Sequence, residues 1–234
     1  SGKADAVRGK SVLHTSRKRP WMRAFHRAVL AVTVGIKEEG QHTMKGLSMG
    51  CTRRVLQQVP AFDPELGPGT PYGYFDDTLF SYQVVEAGFH IAAVLEAPVV
   101  HQPDAERLSR KAYCRAAACR GRGLTYIDYH WNHEPERRWT RREHAWQVWR
   151  YPYWVLLKRW ANLWAWRFRH PKKWLFRGEG IAYKEFAFIN QLYQIWQFIL
   201  LRYAPRNYEE KGLVKHRGIK PEFGVPASLE DREE

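Results

Sequence analysis

Apolar and polar positions follow two periods along this chain. Residues 4–14 (Ala-Asp-Ala-Val-Arg-Gly-Lys-Ser-Val-Leu-His) partly alternate, which predicts a strand. A basic stretch ending at Pro20 leads into helical spacing over 21–34, with Phe25, Val29 and Val32 on one face. The polar residues 35–45, which include two glycines, read as a loop. A short strand near 47–49 and a helix near 53–59 follow. After a Gly- and Pro-rich loop, Phe75, Leu79, Tyr82 and Val85 recur at helical spacing, and Gly88 suits a left-handed helix stop. Residues 89–95 are mostly apolar and read as a buried strand. Asp104 then starts a helix with Leu108, Ala112 and Ala116 on one side, ended by Gly121-Arg122-Gly123. Further helices, broken at Pro152 and Pro171, precede one over 181–203. The polar tail after Lys211 contains Pro221 and Pro226, ends in acids, and is expected to be loosely attached or disordered. The pattern is that of an α/β domain followed by a mainly helical region.

A chain of 234 residues suggests one large domain or a domain with an appendage, long enough to bury a substantial core. Hydrophobic content of 44% argues against wholesale disorder. The net charge of +14 points to anionic partners: nucleotide phosphates, lipid headgroups or nucleic acid. Cys51, Cys114 and Cys119 lack zinc-ligand spacing and fit reduced thiols in a cytosolic compartment. No secretory signal is visible, and a start at Ser-Gly suggests that the natural N-terminus is missing or replaced. The most apolar stretches, 153–166 and 186–201, are interrupted by Lys, Arg, Asn and Gln, so neither is expected to span a bilayer.

Composition shifts at residue 131. All but one of the 11 Trp lie between Trp131 and Trp196, and Glu143 is the one acid in a strongly basic stretch from Arg137 to Arg177. Trp with Arg suits a headgroup boundary, where a ring sits half wet and a cation meets anionic lipid. The competing reading is a helical cap with Trp in its core. Two other signals carry less. Gln147-Val-Trp-Arg150-Tyr151 approximates a Gln-x-x-Arg-Trp motif but ends in Tyr. His130 and His133 have a spacing seen at metal sites, with no third ligand in view.

The chemistry concentrates in residues 46–101. Gly46-Leu47-Ser48-Met49 is followed by Arg53-Arg54, then by Phe62-Asp63 and the loop Gly67-Pro68-Gly69-Thr70-Pro71. Asp76-Asp77 opens a helix, and a strand ends at His101. Alone, an Asp pair at a helix start is an ordinary cap. In this order the motifs resemble the second half of the catalytic domain of family 2 glycosyltransferases, the inverting enzymes with a GT-A fold. The resemblance fades beyond about Gly123.

The resemblance implies a partial GT-A, Rossmann-like fold. Residues 1–130 would be its C-terminal, acceptor-side part, 131–210 a basic Trp-rich helical region, and 211–234 a polar tail. It implies hexosyl transfer from a nucleotide-sugar donor to a glycan or glycolipid acceptor, in polysaccharide or glycoconjugate synthesis. Asp77 would be the general base and Asp76 would orient Asp77 or the acceptor. Gly69, Thr70, Tyr72 and Tyr74 would shape the acceptor pocket, because Gly permits close approach and Tyr stacks on sugars. Arg120 and Arg122 would meet the donor diphosphate, although basic residues on that helix can equally form a solvated face. His101 matches a metal or diphosphate contact, or is a satisfied strand-end histidine. The family holds a divalent metal, Mg or Mn, with an Asp-x-Asp motif upstream that is not evident here. The resemblance therefore places the main metal ligands and donor site in a preceding half, on the order of 60–100 residues, and the isolated chain is expected to bind donor weakly. The expected location is cytoplasmic, peripheral on an anionic membrane surface, without nucleic acid. The alternatives are a non-catalytic membrane scaffold with a remnant of this fold, or a basic nucleic-acid-binding module.

Overall fold

A computed structural model of the chain describes residues 4–36, 40–59, 62–134, 145–171 and 180–216. Three strands form a mixed sheet. Strand β1 (Ala6–Leu13) lies in the middle, antiparallel to β2 (Met49–Cys51) and parallel to β3 (Ile91–His101). Around it lie α1 (Ala24–Val29), α2 (Arg53–Gln58), α3 (Asp76–Glu86), α4 (Arg110–His130), α5 (Ala145–Arg169) and α6 (Tyr183–Leu201). The fold is mixed α/β, as the alternating periods predict.

Helix α3 is the hinge of the packing because it buries two faces. Phe80 and Val84 pack with Ala6, Val55, Val59 and Ile91 beneath the sheet. Phe75 and Leu79 pack with Tyr126, Ile127 and Trp131 at the end of α4. The apolar stripe read from the sequence is therefore only half the interface: Tyr82 and Val85 are partly exposed, and Gln83 is buried. Gln83 Nε2 donates to the carbonyls of Gly212 and Leu213, which satisfies its amide away from water.

Four local expectations are corrected. The helix near 21–34 is shorter, ending at Val29, and Ala31 follows with a left-handed φ of 59°. The strand expected at 89–95 extends to His101 and is buried mainly at Ile91. Val94, Val99 and Val100 are exposed, since β3 is an edge of the sheet among the described residues. Pro98 is tolerated there, where the register jumps from Gly9↔Val94 to Ser11↔Val99 and a missing N–H costs no regular ladder bond. Helix α5 continues through Pro152. Finally, α4 does not stop at Gly121-Arg122-Gly123 but starts from Ser109, whose Oγ accepts the Ala112 N–H, and runs to His130.

Those two glycines are packing sites. A Cβ on Gly121 would collide with the Asn190 carbonyl oxygen of α6, and one on Gly123 would lie 2.8 Å from the Phe75 ring. Small residues thus let α4 and α6 approach closely. Asn190 Nδ2 donates to the Ala117 carbonyl, and Thr125 Oγ1 donates to the Gln194 carbonyl. Arg110 pairs with the buried Glu185 across the same interface.

The start of the tail is anchored, against expectation. Lys215 reaches Asp63 and Glu65, and the His216 N–H donates to the carbonyl of Asn207, a buried residue just ahead of the tail. Asp63 also accepts hydrogen bonds from Tyr126 and Tyr208, so the Phe62-Asp63 turn is a structural latch. The rest of the tail, from residue 217, lies outside the described residues.

The Trp-rich region divides. Trp131 is core, its Nε1 donating to the Gly212 carbonyl at 2.9 Å. Helix α6 instead carries Leu192, Trp196, Leu200 and Tyr203 exposed at a spacing that lines one side of a helix, Tyr203 just past its last turn. On α5, Trp154, Leu157, Trp160 and Phe168 are exposed as well. No described helix is long and apolar enough to cross a membrane.

Candidate functional site

The site is built on the N-terminus of α3. Its cap residue, Phe75, has φ 78°, which is a strained value for an aromatic residue and is offset only where packing fixes it. Here the ring is buried, fits the space left by Gly123, and has the Arg120 guanidinium 5.0 Å over its face. The left-handed step turns the Asp76-Asp77 pair out of the loop and into the first helical turn. Asp76 packs on Gly67, where a Cβ would lie 2.9 Å from its Cγ and φ is +93°, so glycine is required there on both counts.

Asp77 is held from the other side. Its Oδ2 accepts the Gly46 N–H at 3.0 Å and its Oδ1 accepts the Thr78 hydroxyl at 3.1 Å. Ser81, one turn later, donates to the Asp77 carbonyl and accepts the Met44 N–H. Residues 44 and 46 are thus both tied to α3, which fixes Lys45 between them.

Three cations share the field of Asp77: Arg8 from β1, Lys45 from this clamp and Arg120 from α4. Burial pulls each of their pKa values down, and Asp77 pulls back. Burial, then the Asp77 charge, pushes the Asp76 carboxyl up from its ordinary value. Half-buried cations that outnumber the carboxylates make a site suited to an anion beside a positioned base.

Two cavities flank this centre. One of about 460 Å³ is lined by Arg8, Lys45 and Arg120 together with the α6 amides Asn190, Gln191 and Gln194. The other, about 660 Å³, is lined by Gly69, Thr70, Tyr74 and Arg122. The candidate acceptor residues Gly69, Thr70 and Tyr74 therefore share a cavity with Arg122, whereas Arg120 faces the other one. Tyr74 and Arg120 touch across the partition, with the guanidinium 5.9 Å from the ring centre. Tyr72 lines neither cavity: it packs on Tyr126 at 4.6 Å, and Gln197 donates to its hydroxyl. Arg53 and Arg54 are exposed on α2, Arg54 lying over the Phe89 ring.

His101 closes β3, its carbonyl accepting the His14 N–H at 2.9 Å. Its Nε2 is buried without a hydrogen-bond partner among the described residues, and burial followed by Arg107 pushes its pKa down. No group of three His, Cys, Asp or Glu side chains that could hold a metal forms among the described residues. A divalent metal is therefore not matched by a ligand set at His101 among the described residues. His130 and His133 are engaged structurally: His130 Nδ1 accepts the Asn207 N–H, and the His133 ring lies 3.0 Å from the Tyr208 carbonyl.

Sequence reasoning missed Arg8 and Lys45 beside Asp77. Lys45 abuts the motif at Gly46, but only the fold shows that Met44 and Gly46 bracket it. Arg8 lies in β1, where no local pattern marks a charge that serves a helix about 70 residues away. The three cysteines form no disulfide among the described residues and are partly buried. Compared with known proteins, the chain matches no family model, no curated protein and no solved structure.

Proposed function

We propose that the site transfers a sugar from a nucleotide-sugar donor to an acceptor hydroxyl with inversion, as an acceptor-side part of a GT-A glycosyltransferase of family 2. The observation that carries this reading is Asp77 fixed by Gly46 and Thr78 within the field of Arg8, Lys45 and Arg120. The carboxylate keeps lone pairs beyond the two hydrogen bonds it accepts. It takes the proton of an acceptor hydroxyl as that oxygen attacks the anomeric carbon, and the bond to the diphosphate breaks. Negative charge grows on the leaving group, and fixed cations in a half-buried setting stabilise it without reorganising. The amides lining the same cavity as these cations suit sugar hydroxyls.

The protein is further read as peripheral on the cytoplasmic face of an anionic membrane. The exposed aromatic residues of α5 and α6 support this, and Lys158, Arg159, Arg169 and Lys184 are exposed on the same helices.

The test is sugar transfer by the full-length protein over a panel of nucleotide sugars. Asp77→Asn should keep the fold and lower turnover about 10²-fold or more, as expected for loss of a general base. Unchanged turnover at saturating donor and acceptor would remove Asp77 from that role. Failure of the wild type to consume any nucleotide sugar would sink the transfer reading itself.

A further inference from the structure

The larger cavity holds more positive charge than the motifs account for. Besides Arg122 it is lined by Arg107, from the short 3₁₀ turn before α4, and by Lys111 and Arg115 from the first turns of α4. Among the described residues Glu106 is the single acid on its wall. Arg107, Lys111 and Arg115 form no ion pair with a carboxylate among the described residues, in contrast to Arg110, which pairs with Glu185. Arg107, Lys111 and Arg115 are exposed and Arg122 is half-buried, so water screens their repulsion, yet four cations against one carboxylate around a concave space set up a positive field that favours an anion.

A second, independent observation points to a ligand. Tyr113 lines the same wall and is 1% exposed, yet its hydroxyl has no hydrogen-bond partner among the described residues. A buried hydroxyl left unsatisfied costs about 1–3 kcal/mol, so an orphan beside cations is explained if it donates to something absent here. The ring is fixed by edge contacts with Trp21 at 6.0 Å and His26 at 5.1 Å, so the hydroxyl has little freedom to look elsewhere. Burial pushes its pKa up to about 12, which keeps it a donor at neutral pH. Thr70 and Ser109 add hydroxyls to the lining, although Thr70 Oγ1 already donates to the Gly67 carbonyl.

We propose that this cavity binds a phosphate- or diphosphate-bearing ligand, held by Arg107, Lys111, Arg115 and Arg122 and by a hydrogen bond donated from the Tyr113 hydroxyl. Arg gives planar two-point contacts to phosphate oxygens, Lys supplies a point charge, and Tyr fixes one oxygen. The proposal stands on the cavity alone. Joined to the transfer reading, it makes the molecule beside Gly69, Thr70 and Tyr74 an anionic one, so that an acceptor there carries a phosphate.

The experiment is titration calorimetry of the whole chain with inorganic pyrophosphate at physiological salt, without added metal. Binding should weaken tenfold or more in Lys111→Gln/Arg115→Gln, and several-fold in Tyr113→Phe, which keeps the buried ring. The charge-matched control Arg53→Gln/Lys184→Gln, at exposed positions outside the cavity, should bind as the parent does. Competition by uridine and guanosine diphosphates against geranyl diphosphate then tells a nucleotide source from a lipid-linked one. Absence of pyrophosphate binding, or equal weakening in the control pair, overturns the proposal. Because binding is read without turnover, a failed transfer assay leaves this result standing, and failed binding leaves the role of Asp77 standing.

Discussion

Replacing Asp63 by Ala should be among the most damaging single changes in the chain. Its side chain is fully buried and accepts from the Tyr126 hydroxyl at 2.6 Å, the Tyr208 hydroxyl at 2.8 Å, the Glu65 N–H at 2.9 Å and Lys215 Nζ at 3.1 Å. Burial, and then the Asp63 charge, pushes both tyrosines above their ordinary pKa, so they remain neutral donors aimed at it. Truncation orphans the Tyr208 hydroxyl and removes one partner of a buried ammonium. Breaking a buried pair costs about 3–5 kcal/mol and an orphaned hydroxyl about 1–3 kcal/mol. The Tyr126 O–H loses its acceptor as well, since Asn207 only donates to that oxygen at 2.9 Å, whereas Lys215 keeps Glu65 at 2.7 Å and softens the loss. The expected total is therefore about 3–5 kcal/mol, a large fraction of a domain's stability of roughly 5–15 kcal/mol. Urea unfolding followed by Trp fluorescence measures it. Asp63→Asn keeps the shape and one acceptor and should fall between wild type and Ala. A double-mutant cycle with Tyr208→Phe should show a coupling of about 1 kcal/mol or more. A loss below about 1 kcal/mol for Asp63→Ala, with an unchanged denaturant slope, would refute the latch and leave residues 207–216 held by apolar packing alone.

Other consequences are as direct. Gly121→Ala should destabilise by about 1–3 kcal/mol through overpacking against Asn190, whereas Ala165→Gly on an exposed face of α5 should cost no more than about 1 kcal/mol; comparable losses would deny the close α4–α6 crossing. Burial, with Arg206 and Lys215 adding, pushes His130 down to about 4. The unfolded chain then takes up a proton near 6.5 that the folded one refuses, so this stability is present above about pH 6.5 and is lost toward pH 4, up to about 3 kcal/mol. His130→Gln should flatten that part of the pH dependence of the urea midpoint, and an identical pH profile would contradict it. Trp196→Ser/Leu200→Ser should leave thermal stability nearly unchanged, because both side chains are exposed, yet lower sedimentation with anionic vesicles several-fold; equal sedimentation removes α6 from the membrane face.

The sequence was most legible where the physics is local. Gly88 stops α3 with φ 83°, and β1 and α6 fall within the spans expected for them, although burial along β1 does not alternate. It was least legible where tertiary contact decides. Gly121 and Gly123 look like a helix stop because glycine is a poor helix former, yet close approach to α6 and to Phe75 outweighs that cost. A run of apolar residues at 89–95 looks like a buried strand, but burial depends on what lies beside β3, which no run of letters states. The candidate site divides in the same way. Asp76, Asp77 and the 67–74 loop are contiguous enough to be read from motifs, and Lys111 and Arg115 can be read as part of a basic helix whose arginines could meet phosphates, whereas Arg8, Lys45 and Arg107 gain meaning only once the fold gathers them around a helix start or a cavity.

The Asp-Asp pair also shows how a cap can be told from a site. The carboxylate of an ordinary cap accepts the helix's own N–H groups, and that use occupies it. Here the cap position is Phe75, which bonds no amide with its side chain, and the chain turns by a left-handed step instead. The strain of that step is of the order of 1–3 kcal/mol, and three features offset it: the buried ring, the room at Gly123 and the overlying Arg120. As a result Asp77 falls inside the first turn, where its Oδ2 bonds Gly46 across a loop rather than its own helix. An arrangement that spends backbone strain to release a carboxylate from capping, and then surrounds it with Arg8, Lys45 and Arg120, is hard to explain by stability. A helix needing only an N-terminus is served better by Ser or Asp at position 75, with no strain at all. The strained aromatic cap thus adds support to the proposal that Asp77 acts as the base, beside its clamp by Gly46 and Thr78.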